Sequence, residues 1–435
     1  MVSVQTQIEF QGDLSLANLS RKLEEINLPK QILKTALIKL QDELISELYG
    51  SAYQRDTNRH FQRATTTNRT LKTRHGPIQF KLVVVRNLEN NSYFRPLLIY
   101  LGVYSRQRIV DDSDLECAET ATYLTYRDSK TVIENLTHTA ISKDRIHACA
   151  QKVGDFINQE RRKPPDTSTT AVAATAAGKE EEVRVVDLVM GDGTKVHGYG
   201  GVKNDVSVLL GKNEVTGEKE LLGFGVNESW KEVVLQFEGK AKVAVSDNEP
   251  SLRKVLLEKA CDYQACVLHC IRDVKFYLWQ AGLPKDQRKS ISVRVESVLW
   301  VLRSSVEKHI VDGDVKRLRW RVDWALLELK KIGGELLSVG LMSVSRFICN
   351  AANYMVTFAR LALKGVVVAF SNNLVERLMG EIAKRVKHKW MHWSERGLEN
   401  LLNILLVRYC SKRTFEELKE KYLSPSNTII KITTT

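Results

Sequence analysis

The apolar and polar positions change rhythm several times along the chain, and each change marks a different kind of element. Residues 13–50 repeat apolar side chains at helical spacing: Leu16, Leu19 and Leu23, then Ile32, Leu33, Ala36, Leu37 and Leu40, with Pro29 between the two runs. Residues 54–75 (QRDTNRHFQRATTTNRTLKTRH) are polar, basic and threonine-rich, and offer little to bury. TLKTRHGPIQFKLVVVRN then reads as a hairpin turning at Gly76 and Pro77, with Phe80, Leu82 and Val84 on one face. From Asp112 to Glu160 the pattern is helical again. There RDSKTVIENL, the polar THTAIS and KDRIHACAQKVGDFI resemble a helix-turn-helix with Ser142 as N-cap of its second helix, although any two short helices around a polar turn share that pattern.

Residues 161–182 (RRKPPDTSTTAVAATAAGKEEE) break the pattern: rich in Pro, Thr and Ala, they carry no periodic apolar face and end on acids. Such a composition does not offset its ordering entropy and predicts a linker. Beyond it the rhythm is of short β-branched runs separated by Gly and Asn-Asp turn signals: VRVVDLVM, KVHGYGGV, VSVLLG and LLGFGV, a helix around SWKEVVLQF, AKVAVSD, a helix through SLRKVLLEKA, and YQACVLH. Three strands, a helix, a strand, a helix and a strand are the mixed α/β order of a ribonuclease-H-like core. Residues 271–365 read almost entirely as helix, as does the chain from 372 onward. The predicted organisation is therefore a helical region (1–53), a hairpin and helix-turn-helix-like DNA-binding region (54–160), the linker (161–182), an α/β core in two pieces (183–270 and 366–422), an all-helical insertion (271–365) and a tail (423–435).

Composition narrows the partners. The net charge of +13 on 435 residues favours a polyanion, nucleic acid or an anionic surface. No apolar run reaches the roughly 18 residues of a membrane span, and the N-terminus lacks the basic-then-apolar layout of a signal peptide. Seven scattered cysteines do not form a disulfide framework, so the expectation is a cytoplasmic, nucleoid-associated protein with reduced thiols.

Three acids carry the candidate chemistry. Asp247 ends AKVAVSD, and Asp192 sits in MGDGTK just past a β-branched run, the positions from which side chains project into a crevice above a sheet. Either alone reads equally as a cap of the next turn or helix. Glu376, in SNNLVER, falls on the polar, basic side of a helix whose other side gathers Leu374, Val375, Leu378, Met379, Ile382 and Val386. Two strand-end aspartates and a helix-borne glutamate are the donor set that two-metal phosphoryl transfer requires, because Mg²⁺ prefers carboxylate oxygens. A solvated helix with Glu376 paired to its neighbours fits the periodicity as well.

SNNLVERLMGEIAKRVKHKWMHWSERGLENLLNILLVRY resembles the C-terminal signature of insertion-sequence transposases, particularly an archaeal branch best known from haloarchaea. MGDGTKVHG and VAVSDNEP resemble that family's first and second acidic motifs, and ACVLHCIRD resembles the Cys-x-x-His element of the related Mutator-like transposases. The resemblance covers roughly residues 183–422. It implies a DDE transposase with a ribonuclease-H-like catalytic domain interrupted by a helical insertion. Asp192, Asp247 and Glu376 would be its catalytic, metal-holding triad, with two Mg²⁺ or Mn²⁺ ions as cofactors. The implied reaction is hydrolysis at the ends of a mobile element followed by attack of the freed 3′-hydroxyl on target DNA. Double-stranded DNA (terminal inverted repeats and target) would be the partner, and a homodimer or higher oligomer would hold both ends.

Rival readings attach to several residues. Asp187 competes with Asp192 for the first acid, and the DGTK match favours Asp192. Cys261, Cys266, His269 and Cys270 invite a zinc site but lack a second CxxC pair; Cys266 and His269 are otherwise active-site neighbours on a buried strand end. Trp279, Trp300, Trp320 and Trp324 read as core anchors, with stacking on a base the alternative. Arg377, Lys384, Arg385, Lys387 and Lys389 are the expected DNA-binding cations. Against the transposase stand a non-catalytic DNA-binding protein derived from one and a structure-selective nuclease or resolvase of the same fold.

Overall fold

The computed structural model describes residues 27–52, 60–104, 106–137, 139–163, 184–387 and 391–424. The first apolar run (Leu16, Leu19, Leu23), most of the predicted linker, Lys389 and the tail beyond 424 lie outside the described residues. The chain divides into two compact units, one of Met1–Glu160 with Phe415–Thr435, the other of Arg161–Thr414.

In the first unit, α1 (Leu28–Ala52) starts at the proline that separates the apolar runs, since Pro is tolerated in a first helical turn. It packs on an antiparallel sheet, β1 (Phe61–Thr73), β2 (Gly76–Asn87) and β3 (Tyr93–Phe94), over a core of Leu37, Leu71, Ile78, Phe80, Leu82, Leu97 and Leu98. The hairpin turns at Arg74 and His75 rather than at Gly76 and Pro77, and the polar stretch before it is not featureless but forms β1. Gly76 opens β2 at φ +105°, and a Cβ there would meet the Thr137 carbonyl oxygen at 2.6 Å, so the glycine is required twice over. β3 pairs only with Val85 and Arg86, leaving part of β2's edge open. The buried amide of Gln41 closes it, donating to the Lys81 carbonyl at 3.1 Å and accepting from the Val83 N–H at 3.0 Å.

Four helices follow in chain order: α2 (Pro96–Tyr100), α3 (Asp111–Tyr123), α4 (Tyr126–Thr137) and α5 (Lys143–Arg162). Ser142 caps α5 as expected, its hydroxyl accepting from the Arg145 N–H at 3.1 Å. Asp114, fully buried on α3, is held by Arg145 at 3.0 Å and Lys152 at 2.9 Å, the pairing a buried carboxylate needs.

The second unit is built on a five-stranded sheet of order β6-β5-β4-β7-β8: β4 (Val185–His197), β5 (Lys203–Lys212), β6 (Lys219–Val226), β7 (Lys240–Ser246) and β8 (Ala260–Ala265). β4, β5 and β6 are antiparallel neighbours, whereas β7 and β8 join in parallel, so the architecture is mixed α/β. α6 (Trp230–Leu235) packs on β5 and β6, and α7 (Pro250–Lys259) on β7 and β8. Then come α8 (Val267–Gln280), α9 (Lys285–Asp312), α10 (Val315–Ser338), α11 (Met342–Met355) and α12 (Thr357–Ala362). One apolar cluster runs from Val189, Leu209 and Leu252 under the sheet into Leu299, Leu318, Leu329 and Ile348 of these helices. Gln264, fully buried on β8, ties the two together by donating to the Met355 carbonyl at 3.2 Å and accepting the Phe358 N–H at 2.6 Å. α13 (Asn373–Val386), on β4 and β5, and α14 (Glu395–Cys410), on β6, follow; α15 (Lys412–Leu423) ends the described chain.

Two element assignments need correction. β4 does not stop at Met190: only its parallel pairing with β7 ends there, while pairing with β5 carries the strand through Asp192 and KVH to His197. The strand read over YQACVLH ends at Ala265, and helix α8 begins at Val267, so Cys266 is its N-cap residue and His269 lies in its first turn.

Candidate active site

Strand register sets two of the acids side by side. β4 and β7 run parallel with Met190 opposite Val245, so two residues further along stand Asp192 and Asp247. Asp192 is still within β4, paired there with β5, whereas Asp247 stands one residue past the end of β7. The face that Asp192 takes follows from the flanking glycines. A Cβ on Gly191 would meet Leu252 of α7 at 3.1 Å, and one on Gly193 would meet Trp230 of α6 at 3.4 Å. The residue between them therefore opens away from α6 and α7. α13 packs on β4, and its buried Val375, Leu378, Ile382 and Val386 lie outside the apolar cluster beneath α6 and α7.

Asp192 is half-buried and accepts the Gly193 N–H at 2.8 Å. Burial above all pushes its carboxyl up to about 6; the Gly193 N–H, next in size, pulls it down, while the charges of Asp247 and Glu376 add to the rise and Arg272 opposes it. The two acidic charges place the third acid in the same field. Asp247 accepts from the Glu249 N–H at 3.3 Å, in a turn where Asn248 takes φ +67°.

Glu376 occupies the first turn of α13 with its side chain 37% exposed, and its Oε1 stands 3.2 Å from His269 Nδ1. The same nitrogen is 3.2 Å from Cys266 Sγ, and one ligand atom from each of Cys266, His269 and Glu376 falls within 4.8 Å of the others. Burial raises the Cys266 thiol, while the backbone N–H groups of Asn372 and His269 pull the other way. The zinc quartet read from the sequence is not assembled: Cys261 is exposed on β8, and neither it nor the buried Cys270 belongs to the cluster. Asp187, the rival first acid, lies an odd number of residues from Asp192 and so on the other face. It is held there by Lys242 at 2.6 Å and the Glu214 N–H at 2.9 Å.

Three neighbours escaped the sequence reading. Arg272 acts on Asp192, and Asp273, itself raised mainly by burial, lies in the field of Asp247 and His269. Both follow His269 at helical spacing, a signal that is lost when YQACVLH is taken for a strand. Asn372, fully buried at the N-cap position of α13, keeps both side-chain polar atoms without a partner among the described residues.

The expected DNA-binding cations divide. Arg377 and Lys384 are exposed on α13, Lys384 paired with Glu381 at 2.7 Å, and Lys387 is half-buried. Arg385 departs from the expectation: it is 4% exposed, with its guanidinium against the Trp393 ring at 5.2 Å and Met391 Sδ at 3.3 Å, so it serves packing. Of the insertion's tryptophans, Trp324 packs partly buried against the core as expected, and the other three depart. Trp279 and Trp320 are 58% exposed and Trp300 is 37% exposed, which is not the placement of core anchors.

The mixed sheet thus carries one acid on β4 and one directly after β7, with a third in the first turn of α13. The chain belongs to the Mutator family of transposases, whose family model (Transposase, Mutator family) matches residues 5–305. That span contains Asp192, Asp247 and His269 and ends within α9, before Glu376. No curated protein matches the chain. Among the described residues, no helix is long and apolar enough to cross a membrane.

Proposed function

We propose that this transposase is of the DDE type, cutting the ends of an insertion sequence and joining the freed 3′-hydroxyl to target DNA through Asp192, Asp247 and Glu376. The observation that supports the reading is that Asp192 and Asp247 each lie two residues beyond the paired Met190 and Val245, with the charges of Asp247 and Glu376 both bearing on Asp192. The strand order 3-2-1-4-5 within the unit, with the last two strands parallel, supports a ribonuclease-H-like core. The SNNLVER signature beyond the family match supports the archaeal branch.

Three carboxylates sharing one field, with Asp192 raised to about 6, form a donor set suited to hard divalent cations. When bound, two Mg²⁺ or Mn²⁺ ions would supply Lewis acidity to the attacking and leaving oxygens. The rest belongs to the chain. Asp192 lies on β4 and Asp247 directly follows the adjacent β7, so the sheet brings both to the same end of two neighbouring strands. Glu376 enters from α13 and is steered by His269, which is seated against Cys266. The cations of α13 lie beside the acids, where DNA phosphates would be drawn in. Two element ends must be held together, which calls for a dimer or larger assembly.

The test is strand cleavage and joining on labelled terminal DNA with Mg²⁺ or Mn²⁺. Asp192→Asn, Asp247→Asn and Glu376→Gln should each abolish both steps while leaving DNA binding measurable. A purified variant that still cut at the wild-type rate would remove that residue from the triad. Cleavage without joining would point instead to a nuclease or resolvase.

A further inference from the structure

We propose that the groove between α9 and α10 is a second DNA-contact surface, taking the phosphate backbone of the strand that enters the acid crevice. The groove has a volume of about 310 Å³ and is lined by Trp300, Ser304 and Lys308 of α9 and by Arg317 and Arg321 of α10. Residues 300, 304 and 308 recur at one helical turn and so form a stripe, as do 317 and 321. One cation of the first stripe, Lys308, and two of the second, Arg317 and Arg321, thus line one trough. From Trp300 to Lys308 it runs about 12 Å at 1.5 Å per residue, long enough for a short stretch of phosphate backbone.

The charges are available for a ligand. Lys308 and Arg317 are exposed, and neither enters an ion pair among the described residues. They belong to a concentrated patch, since VKRLRWRVDW opens α10 with Lys316, Arg317, Arg319 and Arg321 around Trp320, and only Leu318 and Val322 of this run are buried. Arg321 stacks its guanidinium on Trp320 at 4.7 Å and on Trp324 at 5.5 Å, which holds it in place without neutralising it. Cations interleaved with exposed aromatic rings fit a nucleic acid better than an acidic protein surface, because every nucleotide presents both a phosphate and a π-face.

The groove also leads to the acids. At its inner end the Trp300 ring meets Phe370 at 5.9 Å, and Arg303 lies over Phe370 at 4.2 Å. Phe370 directly precedes Ser371 and Asn372, which open α13, and its carbonyl accepts the N–H of Val267 at the start of α8. A strand leaving the acids past the start of α13 would meet Trp300 next, then the cations.

The proposal rests on the catalytic reading only for the identity of the strand, so binding is measured apart from cleavage. Full-length protein in EDTA is titrated with a fluorescent duplex and with the same duplex carrying a single-stranded 3′ extension, over a range of salt. Replacing Lys308 and Arg317 together by Gln should weaken binding about tenfold or more at low salt. It should also reduce the slope of log K against log salt by about 1.4–1.8, the value for two lost phosphate contacts. Lys330→Gln with Lys331→Gln, an equal charge change further along α10, should leave that slope in place. Equal slopes and equal losses for the two double variants, or no loss in either, would overturn the groove. Unimpaired cleavage by Asp192→Asn alongside a groove-dependent slope would sink the catalytic reading and leave this one standing. A greater effect on the extended probe assigns the groove to the single strand, and an equal effect assigns it to the duplex; each outcome supports the contact.

Discussion

The two sides of the acid cluster are built on different principles. On one side, Asp192 and Asp247 follow directly from backbone pairing: each lies two residues beyond the last paired position of β4 and β7, Met190 opposite Val245. On the other, Glu376 depends on side chains. Its helix begins at the buried Asn372, its carboxylate meets His269, and that ring is seated on Cys266. A register error would move both aspartates at once, whereas the glutamate can be displaced by changing one neighbour. On the proposed reading, the strand side sets where chemistry takes place, and the helix side sets how well the third ligand reaches it.

Breaking the strand side should have the largest effect. Asp247→Asn keeps shape and register but removes a charge, and cleavage should fall by roughly 10³-fold or more, the scale of losing a preorganised electrostatic group. The helix side should yield a smaller loss of a different kind. His269→Ala leaves all three acids in place but removes the group that steers Glu376, and supporting contacts of this sort change metal affinity or activity by about 10–100-fold. The expected signature is a higher Mn²⁺ requirement, with cleavage partly restored at saturating metal. A loss that excess metal does not touch would mean that His269 acts on the DNA rather than through Glu376.

How far the sequence exposes each side follows from the same contrast. β-branched runs, turn signals and short helices announce the order of the sheet's elements, and a carboxylate at the end of such a run stands out. Register does not: nothing in MGDGTK says that β4 continues to His197 or that Asp192 and Asp247 are equally displaced from a paired position. YQACVLH shows why the helix side was harder to read. An apolar run this short is ambiguous between strand and helix, and taking it as strand hid Arg272 and Asp273 one turn beyond His269. Arg385 misled for a related reason. Next to the exposed Lys384 it looks like another surface cation, yet it faces Trp393, a partner distant from the helical pattern being read.

The smallest expected effect sharpens the comparison most, because it measures strain on the strand side without any DNA. In the unfolded chain Asp192 titrates near 3.8, whereas in the folded, metal-free protein its carboxyl is raised to about 6 by burial and by Asp247 and Glu376. The folded state thus holds this proton more tightly than the unfolded one. The group does not oppose folding below pH 4, opposes it increasingly as pH climbs from about 4 to 6, and exerts its full penalty above 6. Asp192→Asn removes the penalty, so in EDTA at neutral pH the inactive variant should be more stable than wild type by about 1–3 kcal/mol. The gap should close toward pH 4. Mg²⁺ should raise the wild-type melting temperature more than that of the variant, because the cation relieves the same repulsion. Melting curves in EDTA showing the same difference between the two proteins at pH 4.5 and 7.5 would mean that the three carboxylates do not share one field.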